Sequence, residues 1–281
     1  THGDEKALKM LEGLKDMRGK ICMIDRIKEA FENGKAFIPF ITSGDPSLET
    51  TEQLVYAMDD AGADIIELGV PCSDPTAEGP VIQAANLRAL SAGTTTDKIF
   101  SMIAKIRQKT QIPLILMTYA NVVYSYDTEL FLKKAASVGV DGLILADVPY
   151  EEIEEFSDVC DEYGLCLISM VAPTSKERIK MIAKDAKGFV YCVSSLGVTG
   201  TRKEIKTDVS SMVKLVKEAN DIPCAIGFGI SMPETAHEMA LQSDGTIVGS
   251  AIVKICEKYG AESVPYVAEY VKQMKEAISK L

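Results

Sequence analysis

The chain reads as an α/β protein built as one (β/α)₈ barrel, and three observations lead there. Eight short apolar runs recur along the sequence, each followed by a stretch with helical periodicity. The runs are almost continuously hydrophobic rather than alternating, as strands covered on both faces should be. Chemically unusual residues collect just after the runs, and in a closed barrel those positions share one rim. At 281 residues the chain is long for one domain, but barrels of this class commonly run to about 250 residues.

The runs fall near residues 36–42, 64–68, 114–119, 142–146, 165–170, 188–194, 223–227 and 246–249. A helix is expected near 24–33, and an amphipathic segment over 4–20 (Leu8, Leu11, Leu14, Met17) precedes it. Residues 1–24 are therefore read as a helical N-terminal extension and 25–281 as the barrel domain. In 150–163, Ile153, Phe156, Val159, Cys160 and Tyr163 share a helical face, and Gly164 supplies the stop. Val209, Met212, Val213 and Val216 do the same in 208–219, as do Val267, Tyr270, Val271, Met274 and Ile278 in 264–281.

Composition excludes several function classes. Acidic residues outnumber basic ones 41 to 30, a formal charge of −11, whereas a phosphate-backbone binder needs clustered Lys and Arg. No apolar run approaches the ~18 residues of a membrane span, and no secretory signal is evident. Seven cysteines without a C-x-x-C pair read as reduced thiols of a cytoplasmic enzyme. With His2 and His237 as the whole histidine complement, a Ser-His-Asp triad or a His-rich metal site is not expected. His237 is read as a surface or packing residue.

The segment after the second run, residues 66–80 (Ile-Glu-Leu-Gly-Val-Pro-Cys-Ser-Asp-Pro-Thr-Ala-Glu-Gly-Pro), carries the strongest functional signal. Glu67 closes an apolar strand, where glutamate is disfavoured. Glu78 lies on a loop stiffened by Pro71, Pro75 and Pro80. Two carboxylates so placed suit general acid/base chemistry. The sixth to eighth runs end in Gly197-Val198-Thr199-Gly200, Gly227-Phe228-Gly229-Ile230-Ser231 and Gly249-Ser250-Ala251. Glycines at adjacent strand ends let an anion approach successive backbone amides, so a phosphate is expected there. Neither a P-loop nor a dinucleotide fingerprint is present.

With these residues in place the chain resembles the α subunit of tryptophan synthase, from about Asp25 onward. The resemblance rests on Pro39-Phe40-Ile41-Thr42-Ser43-Gly44-Asp45-Pro46, the Glu67–Gly79 signature, Ala146-Asp147-Val148-Pro149, Gly197-Val198-Thr199-Gly200, Gly227-Phe228-Gly229 and Gly249-Ser250-Ala251-Ile252-Val253. It implies a TIM barrel that cleaves indole-3-glycerol phosphate to indole and glyceraldehyde 3-phosphate by a retro-aldol reaction. In that family's terms Glu67 is the general acid/base and Glu78 the carboxylate at the indole nitrogen. Gly200, Gly229, Gly249 and Ser250 hold the phosphate. Phe40, Met117, Ile144, Met170, Tyr191 and Phe228 line the indole slot, and Thr199 closes over the site onto Glu78. The resemblance further implies no metal and no cofactor of its own, with pyridoxal phosphate on a β subunit that receives the indole in an α-β-β-α heterotetramer. The rim near Asp45, Asp74 and Asn121 is the contact zone so implied. A free-standing lyase that releases indole, or a weak lyase that chiefly activates its partner, are the alternatives. The second carboxylate is most often Asp in the family, whereas Glu78 is one methylene longer, and Thr76 replaces a typically aliphatic loop residue. Residues 195–207, with Gly197, Gly200 and a polar run, are read as a gating loop.

Overall fold

The structure is a computed structural model that describes residues 26–194, 209–227 and 229–281. The N-terminal extension, the gating loop with Thr199 and Gly200, and Phe228 lie outside the described residues.

All eight apolar runs are strands: β1 (Ala36–Thr42), β2 (Ile66–Gly69), β3 (Leu114–Thr118), β4 (Gly142–Leu145), β5 (Cys166–Leu167), β6 (Ser169–Val171), β7 (Val190–Val193), β8 (Cys224–Gly227) and β9 (Gly245–Val248). The ninth strand arises because the fifth run is split at Ile168. The described strands follow the order β5-β4-β3-β2-β1-β9-β8-β7-β6, with every pairing parallel. β5 pairs with β4 and β6 with β7, so the two halves of one run lie at the two ends of that order and close the ring. The Ile168 amide itself still bonds Leu143 O, at 2.9 Å.

The period of two sorts each strand into two apolar layers. Ile38, Phe40, Ile65, Ile115, Met117, Ile144, Phe189, Tyr191, Ala225 and Ile247 belong to one cluster, which fills the barrel interior. The alternate residues, such as Phe37, Ile41, Leu68, Leu116, Leu143, Val190 and Ile226, belong to a second cluster shared with the surrounding helices. Helix faces match their sequence periodicity: Val209, Met212, Val213 and Val216 are buried on Val209–Ala219, and Val267, Val271, Met274 and Ile278 on Val264–Ile278. The helical stretch 150–163 begins as a 3₁₀ turn (Tyr150–Glu152) and becomes α-helical over Glu154–Tyr163. Gly164 ends it in the left-handed conformation, at φ 70°.

The N-terminal ends of the strands are tied by a repeated aspartate clasp. Asp64 N–H donates to Phe37 O and its carboxylate accepts from Phe37 N–H. Asp141 does the same with Leu114, and Asp244 with Cys224. Each clasp carries a cation: Lys275 on Asp64, Arg107 and Arg26 on Asp141, and Lys217 on Asp244. Each carboxylate thereby satisfies an amide at the start of the neighbouring strand while its own charge is neutralised. No described helix is long and apolar enough to cross a membrane.

Candidate active site

At the opposite end of the barrel lies a cleft bounded by Phe40, Glu67, Glu78, Ile82, Met117, Tyr191, Gly229, Ile230, Ile247, Gly249 and Ser250. Glu67 occupies an inward position of β2, in register between Phe40 on β1 and Ile115 on β3. It stands where the strand pattern calls for an apolar side chain, and it is 1% exposed. Neither carboxylate oxygen has a hydrogen-bond partner among the described residues. Burial alone therefore raises its pKa, from 4.5 to about 8. At neutral pH the group is a carboxylic acid with a proton that no described neighbour holds.

Glu78 has a different setting. It is buried as well, but Asn86 Nδ2 donates to its Oε2 at 2.7 Å. Gln83 Nε2 donates to its backbone carbonyl at 2.6 Å. Burial raises the Glu78 pKa, and hydrogen bonds from Asn86 and Tyr119 partly offset that rise. The two carboxyl groups of one cleft thus differ in kind: one is protonated and has no partner among the described residues, the other is braced by donors that favour its anion.

Glycines at the strand ends make room for the aromatic walls. A methyl on Gly69 would fall 2.7 Å from Phe40 Cζ, and one on Gly249 3.2 Å from Phe40 Cδ1. The Phe40 ring therefore sits in space those two residues leave open. On the far wall a methyl on Gly227 would fall 2.4 Å from Tyr191 Oη. Burial and the nearby Glu67 charge push the Tyr191 phenol well above its ordinary pKa, so it stays neutral.

The third wall suits an anion. Gly249 is the N-cap of the helix Ser250–Tyr259, so that helix opens with its positive end at the cleft. Gly229 holds a positive φ of 85°, a conformation that favours glycine and leaves its amide approachable. No lysine or arginine is among the described residues lining the cleft; backbone amides and the Ser250 hydroxyl are the available donors.

The structure brings together Phe40, Glu67, Glu78, Met117, Tyr191, Gly229, Gly249 and Ser250. Ile144 and Met170, expected in the slot, are not part of the lining. Ile144 is fully buried beside Met117, and Met170, in register with Tyr191, packs on the interior cluster while staying partly exposed. Ile82, Ile230 and Ile247 line the cleft without having been anticipated. Ile247 was readable from strand parity, since β9 alternates like the others. Asn86 was also missed; its signal was a lone amide in the apolar helical run Ala84-Ala85-Asn86-Leu87.

Of the three rim positions, Asp74 and Asn121 are exposed but Asp45 is not. Asp45 is 3% exposed, and Arg88 grips both its oxygens at 2.8 Å. Its carboxylate anchors the loop after β1 and is not available to a partner. His237 is half-buried, its Nδ1 2.9 Å from Ala277 O, a packing role. No group of three or more His, Cys, Asp or Glu side chains among the described residues is placed to hold a metal ion.

Comparison with known proteins agrees with this architecture. The tryptophan synthase alpha chain of Thermoanaerobacter sp. is 48% identical over 262 residues, covering 91% of this chain and 100% of that protein. The crystal structure of tryptophan synthase subunit alpha from Legionella pneumophila superposes with a TM-score of 0.83 at 36% identity, covering 91% of this chain and 99% of that one. A chain from the tryptophan synthase α2β2 complex of Pyrococcus furiosus superposes with a TM-score of 0.78 at 33% identity, covering 87% and 99%. The family model for the tryptophan synthase alpha chain matches residues 27–279, and the chain belongs to that family.

Proposed function

We propose that this chain cleaves indole-3-glycerol phosphate to indole and glyceraldehyde 3-phosphate, with Glu67 and Glu78 as its working carboxylates. The observation that carries the reading is the pairing of a bare, protonated carboxylic acid with a braced carboxylate in one apolar cleft, next to a helix N-terminus. The apolar walls suit an indole ring, and the Gly229, Gly249 and Ser250 corner suits a phosphate.

The chemistry follows from the two environments. Cleavage moves one proton, from the glycerol hydroxyl next to the ring to indole C3, and breaks the bond between those carbons. Glu67, protonated at neutral pH, delivers its proton to C3. The carboxylate so formed takes the hydroxyl proton as the carbonyl of glyceraldehyde 3-phosphate forms, and the acid is regenerated. Having no fixed partner among the described residues, Glu67 can serve both atoms. Glu78 accepts the indole N–H and stabilises the positive charge that C3 protonation places on the ring. The scheme requires no cofactor.

The chain is further proposed to work on a β subunit that receives the indole, as a partner in an α2β2 assembly, and in the cytoplasm. The Pyrococcus furiosus relative comes from such an assembly. None of the six described cysteines forms a disulfide with another described residue, in keeping with a reducing compartment. The test is lyase turnover with and without a tryptophan synthase β subunit, for the parent chain and for Glu67→Gln. Turnover by the parent and its loss in the variant are expected. A variant that retains near-parental turnover refutes the assignment of Glu67.

A further inference from the structure

We propose that Asn86, backed by Tyr119, is a positioning residue that sets the direction of the Glu78 carboxylate toward the substrate. The inference rests on the lyase reading above and extends it to side chains that need not touch the substrate. Asn86 lies eight residues beyond Glu78, on the helix Pro80–Ser91. It is 3% exposed, an amide buried on a helix face whose other buried members are Ile82, Ala85 and Ala89. A buried amide in such surroundings is destabilising unless its hydrogen bonds are made, and the bond it makes is to Glu78 Oε2.

Tyr119, directly after β3, completes the brace. Its hydroxyl oxygen accepts from Ala77 N–H at 3.1 Å, which leaves the hydroxyl proton to donate, and the phenol is buried and stays neutral. The hydroxyl is near enough to Glu78 to favour its anion. Gln83 fixes the Glu78 carbonyl at the same time. A carboxylate has about four lone-pair positions. Asn86 uses one, which leaves others free for the cleft that Glu78 lines.

The brace also accounts for the extra methylene of Glu78. A longer arm has more rotamers, and an unheld glutamate would sweep across the cleft. With its tip held by Asn86 at one end and its backbone by Gln83 at the other, the longer side chain has a defined reach. Among the described residues, the titratable groups facing Glu78 are Tyr119 from the end of β3 and, across the same cleft, Glu67 of β2 and Tyr191 of β7. Arg88, on the helix that bears Asn86, is turned onto Asp45 and Glu257.

The test uses Asn86→Ala and the isosteric Asn86→Asp in the full chain. Two readouts are taken: steady-state cleavage against pH, and direct titration of Glu78 by carbon NMR of side-chain-labelled glutamate, assigned with Glu78→Gln. Removing the donor should lower kcat by about ten- to a hundredfold with KM changed less than about threefold. Both variants should move the Glu78 titration, and the acid limb of kcat/KM, to higher pH. Asn86→Asp should move it further, because two adjacent carboxyls share a proton. A merely structural Asn86 would lower the melting temperature and leave the titration where it was; that result overturns the proposal. If the parent chain cleaves nothing, the lyase reading fails, while the NMR titration still decides the role of Asn86. If the alanine variant does not fold, the aspartate variant, which keeps the shape, decides between the same two outcomes.

Discussion

Replacing Glu67 by glutamine should remove a pH-dependent stability cost as it makes the protein inactive. In the unfolded chain a glutamate titrates near 4.5, whereas buried Glu67 titrates near 8. Between those values the folded chain binds a proton that the unfolded chain has lost. The parent's stability contribution from this site is therefore fully present below the unfolded value, and falls as pH rises until the folded value is passed. The slope is about 1.4 kcal/mol per pH unit, so the site should cost the fold about 3 kcal/mol by pH 7. Glutamine keeps the shape and has no proton to hold. Its own burial contributes a fixed offset at every pH, so the quantity to read is the change in the gap between the two proteins. That gap should shift in favour of Glu67→Gln by about 2–3 kcal/mol between pH 5 and pH 7. Urea unfolding of both proteins at pH 5, 6, 7 and 8 measures it, with cleavage and phosphate-ligand affinity recorded in parallel. Cleavage should vanish and ligand affinity stay within about threefold. Stability curves that run parallel across the whole range would refute the claim that Glu67 is buried as a neutral acid.

The same environments predict a bell-shaped kcat/KM profile: activity rises as Glu78 ionises, above the ordinary carboxylate range, and falls as Glu67 loses its proton near pH 8. A profile still rising at pH 9 would remove Glu67 from the role of acid. Glu78→Asp should lower kcat by about ten- to a hundredfold, because a shortened arm cannot hold Asn86 and reach the ring together; equal or greater activity would show that the loop re-forms around the shorter residue. Gly69→Ala would place a methyl 2.7 Å from Phe40 Cζ, so it should push that ring into the cleft, raise KM and destabilise by about 1–3 kcal/mol; unchanged KM would show that the ring yields elsewhere. Arg88→Ala leaves the buried Asp45 charge without its cation and should destabilise by about 3 kcal/mol, read as the shift of the urea midpoint; a midpoint within error of the parent would mean that Asp45 is solvated.

What the sequence reveals about this protein depends on how locally each feature is encoded. Glu67 was readable because a carboxylate in an apolar strand breaks a short-range pattern, and strand parity then turns it inward. The apolar runs were readable for the same reason, although the split at Ile168 was not: it depends on which neighbours each half meets when the ring closes. The ion pair that buries Asp45 was not readable, because its partner Arg88 lies 43 positions away and shares no motif with it. Asn86 is nearer to its partner, but a helix must carry it back to Glu78 before the pairing exists. Ile144 and Met170 are assigned to the slot by resemblance alone, and the structure places them in register with the lining residues Met117 and Tyr191.

The aspartate clasps have a consequence for how the ring is assembled. They join residues 27, 27 and 20 positions apart, each bridging one strand to the next across a connection of one or two helices. Such closures sacrifice little chain entropy, so β1 with β2, β3 with β4, and β8 with β9 can lock as local units before the circle exists. The β1–β9 seam is the long-range step, joining Ala36 to Gly245, and topology places such contacts late. The barrel is thus a necklace of pre-fastened links with one distant joint, and cuts made between the clasps rather than through them should yield pieces that still recognise one another.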